Sequence, residues 1–300
     1  MTNEPARYST GIAALDNLLG GGLIPGTLTV VAGATGIGKT QLGLHFAEAG
    51  ARQEGQRGVI LDLTARGDSQ NQKDYARRLF NWPLVPLAAE AAASARQVWD
   101  PRLSRCDYLH LFERAGRRVT RADLDEEGWR AWKIELVKKL QTAIFFLYGN
   151  FVQGVRRCVV DGVEPVDRPS ESFQFDLFEY LYHQILHKEC DWVARDLFRE
   201  QFRQQQAQVE QHSYDHRRLA CLLLYTTREV MLDDLLGRPL ETGDALSNAN
   251  TIIVMGKVRE GSRMGRALQV AKHRGSDCDE SIVPFQITPN GLQLAPEPAC

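Results

Sequence analysis

Residues Gly33-Ala34-Thr35-Gly36-Ile37-Gly38-Lys39-Thr40 spell G-x-x-x-x-G-K-[ST], a complete phosphate-binding loop. The flanks suit the motif. Thr27-Leu-Thr-Val-Val-Ala32 is a β-branched run that predicts a buried strand, and Gln41 to Ala49 predicts a helix ended by Gly50. Gly33, Gly36 and Gly38 let the backbone turn tightly, so that successive N–H groups converge on one anion. The helix N-terminus adds the positive end of its dipole. Lys39 is placed to reach the β- and γ-phosphates of a nucleotide, and the Thr40 hydroxyl to ligate Mg²⁺.

The rest of the chain narrows the class. Its 300 residues carry a formal net charge of −2, so no global basic field points to nucleic acid or to an anionic membrane. No apolar run approaches the length of a membrane span. Met1 to Arg7 has no apolar signal region. Cys106, Cys158, Cys190, Cys221, Cys278 and Cys300 are scattered without a C-x-x-C pair, which points to reduced thiols and a cytoplasmic location over a disulfide framework or a zinc site.

Working outward, Ile12, Leu15, Leu18 and Leu19 have helical spacing, and Gly20 to Gly26 reads as a turn into the first strand. Gly58 to Leu63 predicts a second strand and Gln70 to Phe80 a helix. This β-α-β-α order predicts a parallel sheet with right-handed crossovers. Ala88 to Ala95 reads as helical, Tyr108 to Phe112 as a short strand, and Glu127 to Leu147 as a long amphipathic helix. Arg157 to Asp161 is an apolar strand ending in a carboxylate. Phe173 to Gln211 reads as helical, with a glutamine-rich end from Arg199 that is either a solvated extension or a mobile insertion. Arg218 to Thr227 predicts a buried strand and residues 228–248 a loop. Thr251 to Met255 and Ala267 to Ala271 predict late strands, and Phe285 to Thr288 with Leu292 to Leu294 an edge hairpin. The expected organisation is one domain over residues 1–300, with helical insertions at about 84–125 and 187–217.

A phosphate loop needs an acid at the end of another strand to hold the hydrated Mg²⁺, and Asp161 fits that role. With these elements in hand, the chain resembles the KaiC-like branch of the RecA superfamily of P-loop NTPases. Three stretches carry the resemblance: Ser9 to Gly26 running on into the loop, Val160-Asp161, and Ala267-Leu-Gln-Val-Ala-Lys-His-Arg-Gly-Ser276 with Pro284 to Thr288 and Gly291-Leu292. The fold it implies is α/β and RecA-like, a mostly parallel twisted sheet flanked by helices. It also implies ATP and Mg²⁺ as cofactors, bound at the subunit interfaces of a ring-like homo-oligomer, often a hexamer. In that family a Lys and an Arg two residues apart on the late strand reach the neighbour's γ-phosphate, and Lys272 and Arg274 occupy those positions. Alternation along a strand puts both on one face.

One departure bears on catalysis. Relatives carry one or two glutamates after the second strand, where they orient the attacking water; here Thr64 and Ala65 stand in those places. Asp62 lies two residues earlier on the same face and Asp68 in the next loop. A carboxylate displaced by one pleat moves the base by several Å, beyond the hydrogen-bond reach a general base needs. Asp62 reads equally as a catalytic residue and as a strand-end or Mg²⁺-shell residue.

Seven arginines from Arg96 to Arg121, interleaved with Trp99, Tyr108 and Phe112, form the best local case for nucleic acid, diluted by Asp100, Asp107 and Glu113. The segment after Thr227 holds Glu229, Asp233, Asp234, Glu241 and Asp244, which disfavours a filament on DNA. His183 and His187 are four apart but lack an H-E-x-x-H pattern. The expectation is therefore a slow or regulatory ATPase, forming a ring-like homo-oligomer, whose nucleotide state controls its assembly or an unknown protein partner. A non-hydrolysing nucleotide-binding scaffold or sensor is the main rival, and a DNA-repair accessory ATPase related to RadA or RecA a weaker one.

Overall fold

A computed structural model describes residues 7–64, 72–88, 94–112, 124–164, 173–237 and 248–295. Its strands form one nine-stranded sheet in the order β3-β2-β4-β5-β1-β6-β7-β8-β9. In chain order the first elements are α1 (Ala13–Leu18), β1 (Leu28–Ala34), α2 (Lys39–Gln53), β2 (Val59–Asp62) and α3 (Gln72–Phe80). Next come the one-turn α4 (Pro101–Ser104), β3 (Tyr108–His110), α5 (Glu126–Val152) and β4 (Arg157–Val163). Three helices follow, α6 (Phe173–Leu181), α7 (Cys190–Phe198) and α8 (Phe202–Gln211), and then β5 (Ala220–Thr227) and the short α9 (Leu232–Leu236). The chain closes with β6 (Thr251–Glu260), β7 (Arg263–His273), β8 (Val283–Thr288) and β9 (Gly291–Leu294).

From β3 to β6 every pairing is parallel, and from β6 to β9 every pairing is antiparallel. A parallel sheet with both faces covered needs apolar side chains on both, and the strands comply. Leu28 and Val30 of β1 enter a core with Ile144 and Phe146 of α5, while Val31 enters the opposite core with Leu44 and Phe46 of α2.

The buried Arg157 at the start of β4 ties the leading segment to α2. Its guanidinium pairs with Glu54 at 2.7 Å and donates to the carbonyls of Ser9 at 2.6 Å and Phe46 at 2.8 Å. Asp16 accepts from the Thr10 amide and hydroxyl, which folds the stretch ahead of β1 back on itself.

Several elements differ from the sequence expectation. The run from Phe173 to Gln211 is not one helix: α6 passes into a π-turn over 182–186, and the chain kinks at Arg199, φ 49°. Its glutamine-rich end is neither solvated throughout nor loose. Phe202 and Val209, seven residues apart and so on one face, are buried in the α5 core. Gln201 and Gln204 accept from Arg96, and Gln205 accepts from the Trp99 indole at 2.9 Å. Within 228–248, α9 packs on β6 through Leu232 and Leu235. The β6–β7 hairpin is longer than its apolar segments because ladder pairing continues through the polar stretch to Glu260–Arg263. Of the expected Ala88–Ala95 helix, residues 89–93 lie outside the described residues, and Ala95–Trp99 is a 3₁₀ turn.

Candidate functional site

The loop sits where β1 hands over to α2. Gly33 lies against β6, and a Cβ there would run into the Met255 carbonyl. Gly36 and Gly38 have φ of 76° and 127°, backbone that side-chain-bearing residues rarely adopt. Ala34 is buried at the end of β1, Thr35 and Gly36 are exposed, and Ile37 anchors the loop in the core. α2 starts at Lys39, so its first amides face the loop.

Lys39 is buried, and its Nζ donates to the carbonyls of Gly33 at 2.7 Å and Ala34 at 3.0 Å. Burial pushes its pKa down to about 8, opposed by the nearby Asp161 carboxylate. The Thr40 hydroxyl donates to Asp161 Oδ2 at 2.9 Å. Thus Thr40 and Asp161, 121 residues apart in sequence, meet as the motif requires. Asp161 is 1 % exposed, and its Oδ1 is a buried acceptor that meets no donor among the described residues. Burial, and then the charge of Asp62, push its pKa up to about 7.

A buried carboxylate oxygen without a donor is costly, and here it stands beside the hydroxyl that the motif turns toward a metal. Thr40 and Asp161 therefore fit a hydrated Mg²⁺, with Asp161 acting through the ion's water. Gly33 to Thr40 fit the phosphates.

Asp62 is the register partner of Asp161 across β2 and β4. Its Oδ1 accepts from the Thr64 amide at 2.9 Å and the Thr64 hydroxyl at 2.7 Å, and its Oδ2 accepts from the Tyr108 hydroxyl at 2.7 Å. Both oxygens are thus engaged in holding the exit of β2. His110 closes the group, its Nε2 lying 2.8 Å from the Thr64 carbonyl. Ala65 and Asp68 lie outside the described residues.

Lys272 and Arg274 are not beside the loop of their own chain. Gly33 is level with Met255 on β6, whereas Lys272 is opposite Ile252, three residues back. That is about 10 Å along the strands, toward the other edge of the sheet. β7 ends at His273, so Arg274 falls just past the strand and the alternation argument does not extend to it; its amide donates to the Asn250 carbonyl at 2.9 Å.

The other candidates resolve into structural roles where they are described. Arg96 binds the glutamines of α8, Arg102 pairs with Asp100, and Arg105 bridges Asp107 and Asn150. His183 and His187 flank the Tyr182 ring, and no group of three or more metal-ligating side chains occurs among the described residues. No helix among them is long and apolar enough to cross a membrane. Sequence reasoning missed Gln72, Tyr108 and His110, which carry no motif and reach the site only through the sheet order.

A family model described as the KaiC ATPase matches residues 8–90. The circadian clock oscillator protein KaiC of Rippkaea orientalis is 35% identical over 77 residues, 26% of this chain and 14% of that protein. Circadian clock protein KaiC2 of Synechocystis is 32% identical over 83 residues, 27% of this chain and 14% of that protein. The DNA repair protein RadA of Mycolicibacterium smegmatis is 44% identical over 54 residues, 18% of this chain and 11% of that protein. The chain thus covers only a small part of the length of these curated relatives. The likeness to the KaiC ATPase thus lies in the leading segment and the phosphate loop, within residues 8–90, and the fold built on that loop is α/β, with a sheet that is parallel from β3 to β6.

Proposed function

We propose that this protein binds ATP with Mg²⁺ at an interface between copies of itself and hydrolyses it slowly. The observation that carries the reading is the division of the site. Lys39, Thr40 and Asp161 converge on the loop, while Lys272 and Arg274 stand toward the opposite end of the strands from it, which supports a role at a neighbour's nucleotide. Bound Mg²⁺ would draw charge from the phosphate oxygens and so favour phosphoryl transfer.

The chain's own residues do the rest. The loop amides and the α2 N-terminus hold the phosphates. Lys39, released from the Gly33 and Ala34 carbonyls, turns its Nζ to the β- and γ-phosphates. Asp161 fixes the Thr40 hydroxyl and accepts from water on the ion. Lys272 and Arg274 from a neighbouring copy place two cations where charge builds on the γ-phosphate.

At the position where relatives hold glutamate, Thr64 donates its hydroxyl to Asp62 and cannot take a proton at neutral pH. That supports low turnover, and it also supports the rival reading of a sensor that binds without hydrolysis. A DNA-repair role is disfavoured by Glu229, Asp233 and Asp234 after β5. The test is light scattering with and without ATP–Mg²⁺, with phosphate release measured on the same sample. Growth in mass on ATP–Mg²⁺, lost in Lys39→Ala and in Lys272→Ala or Arg274→Ala, is the expected result. If the last two variants assemble like the parent, the trans-acting role is wrong; no phosphate release beyond background favours the sensor.

A further inference from the structure

Asp161 has a third neighbour that the motifs do not name. Gln72, in the first turn of α3, is 2 % exposed and donates its side-chain amide to Asp161 Oδ2 at 3.0 Å. The same oxygen accepts from Thr40 at 2.9 Å, and Oδ1 meets no donor side chain among the described residues. Two donors on one oxygen set both the rotation and the tilt of a carboxylate. With Thr40 alone the group could pivot about that single bond.

We propose that Gln72 is a positioning residue for the metal: its amide locks the Asp161 carboxylate so that Oδ1 faces the water shell of an ion held by Thr40. The inference rests on the ATP–Mg²⁺ reading above. It follows from chemistry visible at the site. A carboxylate that accepts from a metal-bound water must present a lone pair in a fixed direction, because the ion's octahedral shell tolerates little error. Groups that orient such a ligand change metal affinity by about 10–100-fold when removed. A primary amide is suited to the place. It donates to the carboxylate as a cation would, but it adds no charge that would repel Mg²⁺. A carboxylate at position 72 would instead add a third acid to the neighbouring pair Asp62 and Asp161.

The test is titration calorimetry of ATP binding to the full chain, in excess Mg²⁺ and in EDTA, for the parent, Gln72→Leu and Gln72→Glu. Thermal unfolding in EDTA checks that each variant is folded. Gln72→Leu should lose about 10–100-fold in affinity with Mg²⁺ and change little in EDTA. Gln72→Glu should lose at least as much, since it removes the donor and sets a like charge beside Asp161. If Gln72→Leu binds like the parent in Mg²⁺, or loses equally with and without the ion, the positioning role is overturned. Tighter Mg²⁺-dependent binding by Gln72→Glu would mean that side chain 72 itself reaches the ion, which also overturns it. A parent whose ATP affinity ignores Mg²⁺ would sink the metal-site reading and this inference together; a Mg²⁺-dependent parent with unaffected variants sinks the inference alone.

Discussion

Replacing Asp161 with asparagine should remove a loss of stability that the ligand-free protein suffers as pH rises, while weakening its use of the metal. Asp161 is buried beside Asp62, and the two causes together lift its pKa from the ordinary aspartate value of about 4 up to about 7. The sign follows from proton counting. Between these two values the folded chain holds a proton on Asp161 that the unfolded chain has released, so stability falls as pH rises. Each pH unit in that window is worth about 1.4 kcal/mol, which makes about 4 kcal/mol across the whole of it. Roughly 1.5 kcal/mol of this is already spent at pH 5, because the unfolded aspartate is ionised there, so about 2–3 kcal/mol should separate pH 5 from pH 8.5.

Asp161→Asn has no such proton to lose. The Asn oxygen can still accept from Thr40 and Gln72, and any fixed cost of the buried amide is the same at both pH values. Other titrating groups, such as the half-buried His45, are shared by the two proteins and cancel in the difference. The assay is urea unfolding in EDTA at the two pH values for both proteins. Relative to its own value at low pH, the parent should lose about 2–3 kcal/mol against the variant at high pH. That corresponds to roughly 1 M in midpoint for a slope near 3 kcal/mol per M. Added ATP–Mg²⁺ at high pH should stabilise the parent more than the variant. A gap between the two proteins that is the same at both pH values would refute the argument that burial and Asp62 hold Asp161 protonated.

Two further outcomes are expected. If the missing base limits turnover, Thr64→Glu should raise phosphate release by a measurable part of the roughly 10²–10⁴-fold that a general base contributes, with ATP affinity almost unchanged. Should Asp62→Asn abolish the residual rate and Thr64→Glu add nothing, Asp62 is the base despite its three donors. Arg157→Ala should cost about 3–5 kcal/mol in urea unfolding, because it strands Glu54 and two backbone carbonyls, whereas Arg217→Ala, which loses an exposed pair with Asp215, should cost less than about 1 kcal/mol. Equal costs would mean that the Arg157 network does not fasten the leading segment to α2.

The loop from Gly33 to Thr40 was legible because its chemistry is local: glycines, a lysine and a threonine at set spacing within one strand-to-helix turn can be recognised without any knowledge of the rest. The strands were legible for a similar reason. A parallel strand buried on both faces is built around a mostly apolar run, and Leu28–Ala34, Arg157–Val163 and Ala220–Thr227 each hold one. Asp161 could be singled out only with the loop upstream in view, because a carboxylate late in a buried strand is by itself an ordinary feature, and β4 runs on past it to Val163. Amphipathic spacing was harder to read where polar residues also pack. Phe202 and Val209 are too sparse to announce a docked helix, and the glutamines of α8 find their partners on a turn about a hundred residues earlier in the chain.

Tertiary structure alone decided which side chains share the site. Sheet order sets β2 between β3 and β4, and only that order brings Tyr108, His110 and Asp62 to one edge, with Asp62 level with Asp161. Gln72 reaches Asp161 because α3 begins at that same edge. The register of β6 on β1 and of β7 on β6 separates Lys272 from its own loop. The physical reason is common to all three. A motif encodes contacts between residues close in sequence, while strand order and register are settled by which apolar faces can be buried together, and that is a property of the whole chain.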